Sequence, residues 1–339
     1  MNIYIYPISD PNKSVSKNPY IDDLIQGLQK HDCNIVNKNK LTRFGIFDLL
    51  VYWFKTDVYY LNWIENLPDR RFGWIQALLF YLIFLILKLS GKKIVWMMHN
   101  KLSHSKQALF LKMITNYLLI NYADLVLTHS KEGVRFGNIF MRHQREILFR
   151  HHPLEQKAIK ADNTTEKTID ILIWGSIAPY KGIDTFLEYL KKSDAYEKYR
   201  IHIVGKITQE ALAKRLKSYQ GKALVIEDDF VSNERLQTLF SKSHLVLFTY
   251  AGYSTLSSGA LMDTLAYGKK IIGPDVGAFR DLKEEGLIET FTDFDRLIEK
   301  LERGLDVDIN YHEKLRQFIE ENSWDHFTAL VCQKLYQKV

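Results

Sequence analysis

A chain of 339 residues exceeds what a single core of ordinary size encloses, so two α/β domains of about 150 residues each are expected. Hydrophobic residues at 46% and charged residues at 25% exclude a disordered chain. A balance of 46 Lys plus Arg against 40 Asp plus Glu, net +6, suits anionic ligands or anionic lipid surfaces without pointing to nucleic acid. Cys33 and Cys332 lie at opposite ends of the sequence with no CxxC spacing, so neither a zinc site nor a disulfide framework is indicated, which fits a reducing cytoplasm.

The opening MNIYIYPISD lacks the basic and apolar regions of a secretory signal, so a cytoplasmic location is expected. In chain order, NIYIYP, DVYYLNW, KIVWMMH and ADLVLTHS read as strands. Helical stretches such as Tyr20 to Lys30 and Gln107 to Tyr122 separate them, as in parallel βαβ units. Phe72 to Leu87 is almost wholly apolar, with Arg70 and Arg71 before it and Lys88, Lys92 and Lys93 after it. At about 16 residues it falls short of the roughly 20 that span a bilayer. It reads as a core helix ahead of a parallel strand, or alternatively as a helix with one face on a membrane surface.

The polar run at 154–168 marks an interdomain linker, so the expected domains are 1–153 and 169–322. A second strand series follows, IDILIWG, YRIHIVG, ALVIED, HLVLFTY and KKIIGPD. Consecutive helices close the chain. The last, at 323–339, places Trp324, Phe327, Leu330, Val331 and Leu335 on one face and is expected to pack back across both domains.

Two segments carry the chemistry. WGSIAPYKG follows a strand and opens a helix: Gly175 permits a tight turn, and Lys181 sets a cation beside a helix N-terminus that already favours anions. YAGYSTLSSGALMDTLAYGKKIIGP repeats strand, loop and helix. There Ser257, Ser258, Gly259 and Ala260 would present amides to a diphosphate, and Asp263, one turn on, would accept bonds from ribose hydroxyls. Each has an ordinary structural alternative, a plain glycine turn with a solvated lysine and a solvated helix carboxylate. In the first half, His99 and Asn100 end the strand KIVWMMHN, where ligands meet an open α/β sheet. Asn62 and Trp63 end another strand on what would be the acceptor side, and His152 precedes the linker. Structural roles, in the core or capping a strand, are the alternative for all of these.

The spacing GSIAPYKG followed by SSGALMDTLAYGKKIIGPDVGAFRDL resembles the donor half of glycosyltransferase family 4 and its GT-B relatives, over most of the C-terminal half. The resemblance implies two Rossmann-like domains facing a cleft, with a terminal helix crossing back to the first. It implies a UDP- or GDP-linked sugar held by Gly175, Ser176, Lys181, Ser257, Ser258, Gly259, Ala260 and Asp263, with the base against the loop holding Asp229 and Phe230. It further implies that His99 faces the transferred sugar, that Lys181 and Asp263 join it in catalysis, and that anomeric configuration is retained with no metal required.

The acceptor implied is a glycan, in capsule, O-antigen or exopolysaccharide assembly; the basic, aromatic-rich first domain with its apolar helix suggests that the glycan is carried on a lipid, at the inner face of the cytoplasmic membrane. Two positions depart from the family. Ser176 stands where many members have an arginine, leaving Lys181 and other cations such as Arg280 to meet the phosphates. Thr255 and Asp263 stand where many have two glutamates. A sugar-nucleotide epimerase of the same shape and a non-catalytic nucleotide-sugar-binding subunit are the alternatives. No GxGxxG follows the first strand, and GxxxxGK[ST], GxSxG and HExxH are absent.

Overall fold

The computed structural model describes residues 1–8, 19–38, 40, 45–101, 107–155, 157, 166–193, 195–251, 256–304 and 310–337. They divide into two units: 1–153 with 254–257 and 322–339, and 154–253 with 258–321.

The first unit contains β1 (Asn2–Tyr6), α1 (Pro19–Lys30), β2 (Asn34–Ile35), α2 (Asp48–Val51), β3 (Val58–Asn62), α3 (Gly73–Leu89) and β4 (Lys93–Met98). It continues through α4 (Leu109–Tyr122), β5 (Leu125–Thr128), α5 (Lys131–Phe140) and β6 (Ile147–Phe149). The six strands are parallel in the order β2-β1-β3-β4-β5-β6. Every residue of β3 is buried, as expected of a strand covered on both faces, and for that reason VYYLN shows no polar alternation. Ile3, Ile5, Val58, Tyr60, Val95 and Met97 face α1. Their neighbours Tyr4, Tyr59, Leu61, Ile94 and Trp96 face α3 and α4.

The second unit contains β7 (Ile169–Trp174), α6 (Ile183–Lys192), β8 (Ile201–Val204), α7 (Glu210–Lys217), β9 (Leu224–Glu227), α8 (Asn233–Lys242) and β10 (Ser243–Leu247). It continues through α9 (Gly259–Ala266), β11 (Ile271–Pro274), α10 (Gly277–Glu284), β12 (Glu289–Phe291), α11 (Phe294–Arg303) and α12 (Tyr311–Glu321). Its six parallel strands run β12-β11-β10-β7-β8-β9. Ile171 and Ile173 pack with Phe186, Leu187 and Leu216 on one face. Leu172 and Val246 pack with Phe240, Leu261 and Leu282 on the other.

The last helix, α13 (Trp324–Tyr336), is capped by Ser323, whose hydroxyl accepts from the His326 amide. It belongs to the first unit, where Trp324, Phe327, Val331 and Leu335 join the α1 side of the core. Each such side chain contributes roughly 1.5–3 kcal/mol over an exposed position. Cys33 and Cys332 meet here as free thiols, their sulfurs 3.5 Å apart.

The apolar run from Phe72 forms α3 ahead of parallel β4 and covers the sheet with one face only: Ala77, Phe80, Ile83 and Leu87 are buried, while Trp74, Leu78, Leu82, Leu85 and Leu89 are exposed. No helix among the described residues is long and apolar enough to cross a membrane.

Candidate active site

In the second unit β7 and β10 are neighbours whose following helices leave in opposite directions along the sheet. This is the switch point at which open α/β sheets take ligands beyond their strand ends. Both turns that leave it are held in place. Gly175 has φ +100°, and a β-carbon on Gly205 would lie 1.8 Å from its carbonyl oxygen, so two backbones touch where only glycines fit. Gly182, at φ +65°, would drive a β-carbon to 2.7 Å from the Thr249 carbonyl oxygen. Thr249 donates its hydroxyl to the Lys181 carbonyl at 2.7 Å, and the Ala251 amide donates to the Tyr180 carbonyl at 3.0 Å.

The short 3-10 turn Pro179–Lys181 thereby points Lys181 inward. Its ammonium lies 3.2 Å from where a Gly175 β-carbon would stand, and that same position is 3.5 Å from the Ala260 β-carbon. Gly175, Lys181 and the start of α9 therefore converge. Lys181 is only 5% exposed, its Nζ is 5.2 Å from the centre of the Tyr250 ring, and no carboxylate pairs with it among the described residues. Burial pulls its pKa below the ordinary lysine value, partly offset by Tyr180.

Ser258 caps α9, its Oγ 2.8 Å from the Tyr250 hydroxyl and 3.4 Å from the Leu261 amide. The Gly259 and Ala260 amides are left without a protein acceptor among the described residues. The Trp174 indole donates to Thr264 Oγ1 at 2.8 Å, binding the end of β7 to the same helix. Ser257 is counted with the first unit, and its hydroxyl is buried without a partner among the described residues. Ser176 is exposed.

Asp263, one turn along α9, is engaged: its carboxylate meets Lys157 at 2.6 Å, both side chains more than a third exposed. Arg280 is likewise engaged, its Nε 3.3 Å from Asp275 Oδ2. Asp229 accepts from the Phe230 amide at 2.7 Å, and both are exposed on the loop after β9, with the Phe230 ring 57% exposed. An open cavity of about 410 Å³ is lined by Thr249, Tyr250, Ala251, Asp275, Arg280 and Asp293, among others. Thr255 lies outside the described residues, as do 156 and 158–165 of the expected linker.

In the first unit, residues at the carboxyl ends of β3, β4 and β5 gather around Tyr20. His99 stacks on Trp63, ring centres 4.1 Å apart and 13° between planes. Asn62 donates its amide to the Tyr6 carbonyl at 3.2 Å, which turns its oxygen to His99 Nε2 at 3.0 Å. Nε2 must therefore carry the proton, leaving Nδ1 as the acceptor of a neutral ring. Burial, then His129 and His152, holds the His99 pKa well below its usual value. Asn100 is buried beside it. His152 packs edge-on to Tyr20 and donates from Nδ1 to the Pro153 carbonyl at 2.8 Å.

His129 is the member that sequence reasoning passed over. Its Nδ1 donates to the Arg150 carbonyl at 2.9 Å, so Nε2 accepts from the Tyr20 hydroxyl at 3.0 Å. It ends β5 as His99 ends β4, and that parallel was the available signal. Among the described residues no three His, Cys, Asp or Glu side chains gather as metal ligands.

Residues 168–306, which include most of the second unit, match the family model described as Glycosyl transferases group 1. None of the curated proteins matches the chain. Among solved structures, HepE from Anabaena, crystallised with UDP and glucose, is similar at 12% identity and TM-score 0.66, covering 99% of this chain and 100% of its own. A glycosyltransferase from Rickettsia africae is similar at 13% identity and TM-score 0.64, covering 99% and 98%. The lipopolysaccharide outer core galactosyltransferase WaaB is similar at 15% and 0.64 over the full length of both chains. At these identities the likeness establishes the fold, which is GT-B.

Proposed function

From the premise that residues 168–306 are a glycosyl transferases group 1 domain and the protein a glycosyltransferase, we propose that its donor is a nucleotide diphosphate sugar, UDP- or GDP-linked. In this reading Gly175, Lys181 and the Gly259 and Ala260 amides hold the diphosphate. The observation that carries it is Lys181, a buried ammonium with no carboxylate partner among the described residues. Such a charge costs several kcal/mol of desolvation, which a bound pyrophosphate offsets.

As the bond from sugar to diphosphate breaks, negative charge grows on the departing oxygen. One ammonium and fixed amides aimed there stabilise it without rearranging. Phe230, exposed on the loop after β9, offers a ring to the base, with Asp229 beside it. Asp263 reaches ribose hydroxyls once a ligand competes with Lys157, and Ser176 and Ser258 add polar contacts.

Acceptor binding is assigned to the first unit, to Asn62, Trp63, His99, Asn100 and His152. The neutral His99 presents Nδ1 as a hydrogen-bond acceptor for a sugar hydroxyl. Retention of configuration, a glycan acceptor carried on a lipid, a place in capsule or O-antigen assembly and a peripheral position on the inner face of the cytoplasmic membrane complete the reading. The WaaB likeness in fold is compatible with it.

Thermal denaturation with uridine and guanosine diphosphates and their sugars tests the donor site, since a ligand of the folded state raises its stability. One base class should raise the midpoint. Lys181→Ala should abolish that rise, and Lys191→Ala, an exposed lysine on α6, should preserve it. An equal response in both variants removes Lys181 from the site.

A further inference from the structure

α3 lies on the first unit's sheet through Phe80, Ile83 and Leu87, yet its opposite stripe is also apolar. Trp74, Leu78, Leu82, Leu85 and Leu89 are 60%, 48%, 60%, 55% and 79% exposed. Their spacing of three or four residues puts them on one side of the helix. α4 runs beside it, with the Tyr81 hydroxyl donating to the Leu111 carbonyl at 2.7 Å, and it adds exposed Phe110 and Met113. Monomeric proteins seldom leave so many large apolar side chains of two neighbouring helices in water.

The uncompensated charges around this face have one sign. Neither helix carries an Asp or Glu. The nearby acids are neutralised, Asp69 by Lys112 at 2.7 Å and Asp124 by Lys88 at 2.8 Å. At the amino end of α3, Arg70 and Arg71 are exposed with no carboxylate partner among the described residues, their guanidinium groups over the rings of Tyr6 and Phe72. α3 spans about 25 Å at 1.5 Å per residue, short of the roughly 30 Å of a hydrocarbon core. Being anchored to the sheet along one side, it suits lying in a membrane interface rather than crossing it.

We propose that the α3–α4 face docks on a lipid bilayer rich in anionic headgroups. The stripe enters the acyl boundary, and Arg70 and Arg71 meet lipid phosphates. This rests on the reading of a lipid-carried acceptor and names the surface that would bring the enzyme to it. A second copy fits less well, because an isologous contact would join two cationic faces with no carboxylate on either helix.

The test is co-sedimentation of the full chain with phosphatidylcholine vesicles, with and without phosphatidylglycerol, in low and high salt and without donor or acceptor. We expect binding to the anionic vesicles that weakens with salt. Leu82→Glu should abolish it, and Arg70→Gln with Arg71→Gln should weaken it by about thirtyfold. Quenching of tryptophan emission by brominated lipid in the unaltered protein gives the same answer should a variant fail to fold.

No binding to any vesicle overturns the proposal. So does undiminished binding by Leu82→Glu, or a concentration-dependent dimer that this substitution dissolves. Sugar transfer to a soluble acceptor without vesicle binding sinks the surface alone, and vesicle binding without transfer sinks the functional reading alone.

Discussion

The Lys181 ammonium stands over Gly175, 3.2 Å from the point a β-carbon would occupy. The lysine reaches inward because residue 175 has no side chain, so the glycine shapes both the turn and the position of the charge.

Gly175→Ala tests this directly. At φ +100° a side chain costs about 1–3 kcal/mol of backbone strain, and the new methyl displaces the ammonium. We expect a lowered melting temperature and, separately, a loss of nucleotide diphosphate affinity larger than the stability change explains. Calorimetric titration on the folded variant measures the second, and unchanged affinity would show that the ammonium does not touch the ligand.

Lys181 should leave a signature at alkaline pH. Its folded pKa lies below the 10.5 of an exposed lysine. Between the two values the unfolded chain binds a proton that the folded chain does not, and stability contributed by this group therefore rises with pH through that window. Lys181→Met should remove the rise and be at least as stable as the parent near neutrality. Urea unfolding at a series of pH values, read as the difference between the two proteins, checks it.

The first unit's histidines act at the acid end. His99 and His129 are held well below the usual 6.5, and His151 is pushed down to about 4, chiefly by burial. The unfolded chain takes up protons below pH 6.5 before the folded chain does, so stability present above 6.5 is lost as pH falls. Glu65, fully buried and pushed up to about 7, works in the opposite sense, which makes the difference between proteins the useful measure. His129→Asn keeps a donor for the Arg150 carbonyl. It should cost about 1–2 kcal/mol at pH 7.5, with the gap narrowing toward pH 5.

Asp263 separates structure from binding. Its pair with Lys157 is more than a third exposed and is worth about 0–1 kcal/mol. Asp263→Ala should therefore shift unfolding little while weakening the sugar nucleotide. If affinity is unmoved, the carboxylate serves only Lys157.

The sheets were legible because strands buried on both faces announce themselves as apolar runs, VYYLN and IDILIW among them. Asn34–Ile35, Ile147–Phe149 and Glu289–Phe291 escaped because two or three residues show no period. The exposed stripe of α3 was hidden by its composition, since leucine and isoleucine all round a helix do not reveal which side the sheet covers. The glycine turns carried the donor-site reading through backbone geometry that local sequence encodes. Asp263 met Lys157 across 106 positions, and Tyr20 met His129 across 109. Pairings so distant exist only once the sheets have formed.

The placement of α13 has a consequence for synthesis. Trp324, Phe327 and Val331 complete a core begun by Ile3 and Leu24. The first half to leave the ribosome is thus the last to close, waiting with an uncovered flank while everything between is translated. A fragment cut at residue 153 would retain that bare flank, so the gene cannot be divided there without leaving the amino-terminal product prone to aggregate.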